Sequence, residues 1–151
     1  MAGKTLVPID LSDMETSSKV LAAGVSHARQ DGSSLVVMSV VPHMISGIDY
    51  RYAIRGETGG SEEFDAKAIV QETLERLNEV VSEQLPNDMK AETIVRHGSV
   101  YERILEVAEE IEPDQIVIGA HRPQLADYLL GPNTARVVRH AKCSVNVVRT
   151  Q

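Results

Sequence analysis

The chain has 151 residues, a formal charge of −7, one cysteine, no tryptophan and one phenylalanine. That length suits one domain, the lone Cys143 excludes an internal disulfide, and no apolar run reaches the roughly 18 residues of a membrane helix. The acidic balance and the shortage of aromatics exclude a basic face or a stacking platform for nucleic acid, yet leave room for a small anion held by backbone N–H groups.

Residues 5–9, TLVPI, are apolar enough for a strand buried on both faces. Asp10, Ser12 and Asp13 offer N-caps for a helix over 14–29, with Val20, Leu21, Gly24, Val25 and Ala28 on one face and Asp31-Gly32 as its stop. A second buried strand over 35–41, LVVMSVV, closes at Pro42. Residues 43–60 carry four glycines without periodicity and are expected to form a long loop. A helix over 61–84 follows, with Ile69, Val70, Leu74, Leu77, Val80 and Val81 at helical spacing, and Pro86-Asn87-Asp88 breaks it. The rest reads as a strand over 91–95, a helix over 100–111 with Ile104, Leu105 and Ala108 inward, a strand over 115–119, a glycine-ended loop to Gly131, a helix over 132–140 and a strand over 144–148.

The alternation βαβαβαβαβ over one domain, residues 1–151, predicts a doubly wound α/β fold: a five-stranded, mostly parallel sheet with helices on both faces. Ligands of such folds bind at the carboxyl ends of the strands, beside the point where strand order reverses. Asp10, Val40-Val41 and the 119–131 loop fall along that edge. The loop also feeds the amino end of a helix, where unpaired N–H groups and the helix dipole attract anions.

VPIDLSD after the first strand, HGSVYERIL at the third helix and IVIGAHRPQLADYLLGPNTARVVRHAKCSVNVV at the end resemble the universal stress protein family over the whole chain. The resemblance implies that family's fold, related to the adenine nucleotide alpha-hydrolases. ATP-binding members resemble one another in a loop G-x2-G-x9-G-[S/T] that wraps the phosphates, a Pro-x-Asp segment after strand one, and the end of strand two around adenine and ribose. Pro8, Ile9 and Asp10 match that segment, Val40 the end of strand two, and Gly119 and Gly131 the first and last glycines. Arg122 replaces the second glycine, the spacer to Gly131 is one residue shorter, and Pro132 replaces the hydroxyl residue, which removes an O–H and an N–H. Arg122 offers a guanidinium instead, beside His121, while Asn133 and Thr134 bring side-chain donors and N–H groups to the helix start. The His121-Arg122-Pro123 loop resembles a short-loop branch on the ATP-binding side. What this implies is an ATP-binding stress-response module, with any Mg2+ arriving on the triphosphate, pairing as a homodimer through strand 144–148, and passing its state to a regulatory protein partner.

Each residue has a plainer reading too. Asp10 is equally suited to capping the first helix, the glycine pair to backbone geometry, and Arg122 to the solvated surface. No metal site is expected from His97 and His121, which lack a second ligand at helical spacing, and Cys143 reads as a small buried apolar residue. Neither G-x4-G-K-[S/T] nor G-x-S-x-G occurs, and the strand ends lack a receiver domain's acidic set, so no enzyme activity is expected. The alternative to the nucleotide module is a nucleotide-free dimeric interaction protein of the same fold. The opening residues lack the cationic, apolar and small-residue order of a leader, so the expected location is the cytoplasm, with no membrane insertion.

Overall fold

The structure, a computed structural model, describes residues 3–42, 66–120 and 131–149. Strands β1 (Lys4–Pro8), β2 (Ser34–Val41), β3 (Ala91–His97), β4 (Gln115–Ala120) and β5 (Ser144–Arg149) alternate with helices α1 (Met14–Asp31), α2 (Ala66–Gln84), α3 (Val100–Ile111) and α4 (Pro132–His140). The sheet order is β3-β2-β1-β4-β5, and every pairing is parallel. The chain winds outward from β1 to β3, then crosses back to β4 and winds the other way. The reversal lies between β1 and β4, as the doubly wound reading requires.

β1, β2 and β4 read as apolar runs because both of their faces are covered, whereas the edge strands β3 and β5 are partly exposed, and the two-residue period divides one core from the other. Val7, Val37, Val41 and Val117 face a cluster with Val20, Leu21 and Ala28 of α1 and Ile69, Leu77, Val80 and Val81 of α2. Leu6, Val36, Met38, Val40, Ile116 and Ile118 face the opposite cluster, with Ile104 and Val107 of α3 and Val137 of α4. Among the described residues no helix is long and apolar enough to cross a membrane.

Local chemistry sets the ends of α1. Of the three cap candidates Asp13 is the one used, its carboxylate accepting from the Thr16 N–H. At the other end Gly32, at φ 66°, takes the left-handed conformation and returns its N–H to the Ala28 carbonyl. Halfway along, Gly24 lets the helix backbone settle on β1: a Cβ there would lie 2.5 Å from Val7 Cγ2.

Several sequence expectations shift. The first strand ends at Pro8 rather than Ile9, although the Ile9 N–H still reaches the Met38 carbonyl at 2.8 Å. β3 extends two residues past the expected 95, held by pairing with Val40 and Val41. On α3 the buried pair is Ile104 and Val107; Leu105 and Ala108 are half-buried at the flank, because 104, 107 and 111 form the i, i+3, i+7 stripe. The start of the helix expected over 61–84 and the loop expected over 43–60 lie outside the described residues.

Candidate functional site

At the carboxyl edge of the sheet, beside the β1–β4 reversal, a cavity of about 270 Å3 opens. That volume is just below the roughly 300–1,000 Å3 of small-molecule sites. Eight of the ten residues singled out in the sequence line it: Pro8, Ile9 and Asp10 after β1, Val40 of β2, Gly119 of β4, and Gly131, Asn133 and Thr134 at the start of α4. The other two, His121 and Arg122, lie outside the described residues.

The segment after β1 is fixed by its own hydrogen bonds. The Asp10 N–H donates to Ser17 Oγ at 3.0 Å, and Ser17 donates back to the Asp10 carbonyl at 2.6 Å. Asp10 Oδ1 accepts from both the N–H and the hydroxyl of Ser12. The carboxylate thus closes a local turn through Oδ1 rather than capping α1, and the residue is exposed at the cavity wall.

Across the cavity, α4 begins with Gly131 as N-cap and Pro132 in the first turn, and no side chain caps it. The Ala135 N–H returns to the Gly131 carbonyl at 2.9 Å. The N–H groups of Asn133 and Thr134 belong to the first turn, which has no intrahelical acceptors. Gly131 has φ −66° and ψ 157°, a conformation open to any residue, so its backbone does not itself demand glycine. Gly119 has a different reason. A Cβ there would come within 2.8 Å of Val20 Cγ2, so this glycine allows α1 to lie close over β4.

Of the two side chains expected as donors at the helix start, the Thr134 hydroxyl is engaged within the fold, whereas Asn133 is engaged through its oxygen. Thr134 Oγ1 donates to the buried Gly119 carbonyl at 2.8 Å, which gives that carbonyl, one residue from the end of β4, a donor. Asn133 Oδ1 accepts the Tyr101 N–H at 3.2 Å and so caps the first turn of α3. Arg136 adds to the same junction, with its guanidinium 4.7 Å from the centre of the Tyr101 ring. What α4 offers the cavity is its backbone N–H groups and its dipole, together with the amide N–H groups of Asn133, which lines it.

The remaining wall includes residues the sequence pass did not single out. Val100, Ile104 and Ile118 join Val40 as an apolar side, and Thr16, Ser17 and Val20 of α1 close the opposite side with Ser39. Ser39 is 1% exposed, and its hydroxyl has no hydrogen-bond partner among the described residues. Leaving such a group unpaired costs about 1–3 kcal/mol. The signal was present in LVVMSVV as one hydroxyl in an apolar run near the strand's carboxyl end. Among the described residues no group of three or more His, Cys, Asp or Glu is placed to hold a metal ion. Cys143 is half-buried against the α3–α4 core, and burial pushes its thiol pKa up, away from the thiolate a nucleophile needs.

The universal stress protein family model matches residues 1–149. Universal stress protein G of Escherichia coli O157:H7 is 34% identical over 147 residues, covering 97% of this chain and 99% of that protein. The same-named protein of Shigella flexneri is 33% identical over 144 residues, covering 95% and 96%. Among solved structures, the universal stress protein UspA from Lactobacillus plantarum superposes with a TM-score of 0.67 at 22% identity, covering 97% of each chain. A universal stress protein in complex with cAMP superposes with a TM-score of 0.64 at 20% identity, covering 100% of each. These two structures share the fold, and the match of sequence and family model over nearly the full length carries the assignment: this chain belongs to the universal stress protein family.

Proposed function

We propose that the cavity binds an adenine nucleotide, ATP in the first instance, and that the protein acts as a nucleotide-dependent stress-response module without turning the nucleotide over. The observation that carries this reading is the pairing, across one cavity, of the exposed Asp10 carboxylate with the uncapped amino end of α4. A carboxylate oxygen accepts from a ribose hydroxyl, and a helix amino end attracts phosphate. The apolar side made by Val40, Val100, Ile104 and Ile118 suits a flat base. Gly131 fits the same picture, since glycine as N-cap lets phosphate approach the backbone. That a protein of the same fold is in complex with cAMP supports a nucleotide as the class of ligand. Arg122 and His121 would bring their cationic and polar side chains to the phosphates, and Mg2+ would arrive on the triphosphate, held largely by it and by water.

Bound ATP would tie the ends of β1, β2 and β4 to α4, and the altered surface would be read by a protein partner in the cytoplasm. The outer edge of β5 has no strand partner among the described residues, and Val145 and Val147 are half-buried beside it. Pairing of this edge with a second copy gives a homodimer. A second reading, a nucleotide-free interaction protein, is favoured by Pro132 and by the engagement of both the Thr134 hydroxyl and the Asn133 carbonyl within the fold.

Thermal unfolding with and without ATP separates the two. In the first reading saturating ATP raises the midpoint of the wild type, by about 2.7 kcal/mol of added stability at one hundred times Kd. Asp10→Ala folds but loses that rise. An unmoved midpoint at millimolar ATP supports the second reading.

A further inference from the structure

Among the described residues the other buried polar side chains all have partners. Thr5 bonds Ser33 and Gln115, Ser17 bonds Asp10, Thr73 bonds the Ile69 carbonyl, and Thr134 bonds Gly119. Ser39 is the exception, and it lies on the wall of the cavity. Its neighbours in β2 on the same face, Val37 and Val41, belong to the apolar core. A hydroxyl that serves packing alone is replaced there by Ala or Val without loss, because an unpaired buried O–H opposes folding. At a cavity wall the same hydroxyl can gain a partner from the ligand by turning about χ1, and serine has no branch at Cβ to hinder that turn.

We propose that Ser39 is a specificity-determining contact, its Oγ hydrogen-bonding the polar edge of the ligand's base. This rests on the nucleotide reading of the cavity. β2 and β4 flank β1 on opposite sides, so the ends of β2 and β4 stand two strand spacings apart, roughly 10 Å. That separation places phosphates at the start of α4, beside β4, and the base over the end of β2, with Val40, Val100 and Ile104 on one side of it and Ser39 on the opposite, α1 side. Val40 and the two α3 side chains offer only apolar contact. A hydroxyl both donates and accepts, so Ser39 matches the alternating donor and acceptor atoms along a purine edge.

The test is Ser39→Ala, with adenosine and ATP titrated by calorimetry and the unliganded protein melted alongside. The expected result is a loss of about tenfold in affinity, by the same factor for adenosine and ATP. The unliganded variant should melt at the same temperature as the wild type or higher, since an unpaired hydroxyl has been removed. Unchanged affinities for both ligands would overturn the proposal and leave the nucleotide reading standing. A loss of affinity with a lowered unliganded melting point would make Ser39 a structural residue and also overturn it. If the wild type binds neither adenosine nor ATP, both readings fall together.

Discussion

The Thr134 hydroxyl donates to the Gly119 carbonyl at 2.8 Å, and this buried bond fastens the start of α4 to the end of β4. The two chain segments that frame the cavity are thereby held in one relation whether or not a ligand is present. Thr134→Val keeps the side-chain shape and leaves that carbonyl without its donor, so a loss of about 1–3 kcal/mol is expected in urea unfolding. Thr134→Ser should recover most of it. If Val and Ser variants unfold alike, the bond contributes nothing and the frame is held by packing.

Gly24 is a helix-interior glycine, where alanine ordinarily stabilises by about 1 kcal/mol. Here a Cβ meets Val7 Cγ2 at 2.5 Å, so the sign reverses. Gly24→Ala should destabilise by about 1–3 kcal/mol, the usual range for overpacking. In a double-mutant cycle with Val7→Ala the two changes should couple favourably, since each relieves the defect of the other. Strict additivity in chemical denaturation would contradict the close approach.

The elements of this fold were legible because the central strands carry apolar runs and most elements have a marked start or stop. Pro42, Gly32 and the Pro86-Asn87-Asp88 break all fall at element ends. Less legible was what each side chain does at the site. Asp10, Ser12 and Asp13 all have the chemistry of a helix cap, and only the direction of the chain after β1 selects Asp13. Thr134 and Asn133 carry donors suited to phosphate, but their side chains meet Gly119 and Tyr101, which are distant in sequence and become neighbours only after the sheet closes. Ser39 was overlooked because an apolar strand with one hydroxyl reads as a strand, and the lack of a partner is a tertiary fact.

Edge pairing is tested on β5. Val147→Lys places a charge at the half-buried edge, where its aliphatic stem can still cover the α3–α4 core. Sedimentation should show a wild-type dimer and a folded monomeric variant. A wild type that is already monomeric would mean the edge is not the contact.

Arg96 grips Glu110 with two hydrogen bonds of 3.0 Å each and also pairs with Glu106. The hydrogen bonds from the Arg96 guanidinium outweigh the opposing effect of burial and, helped by its charge, hold the Glu110 carboxyl below its ordinary range. A depressed acid contributes stability that is present above its unfolded value, near pH 4.3, and is lost as pH falls through the folded one. The group is on the surface, so this contribution is small and screened by salt. A carboxyl titration by NMR should show Glu110 protonating below the exposed glutamates, and Arg96→Gln should return it to their range. An unchanged titration in the variant would dissociate the shift from Arg96.

The most direct test of the nucleotide reading is to purify the protein without added nucleotide, denature it, identify the small molecules released, and titrate the stripped protein with ATP by calorimetry. The account predicts recovered adenine nucleotide or saturable ATP binding that Asp10→Ala abolishes. A folded protein that releases no nucleotide and gives no heat with ATP would contradict it, and would leave the carboxyl edge of the sheet as a surface for protein contacts alone.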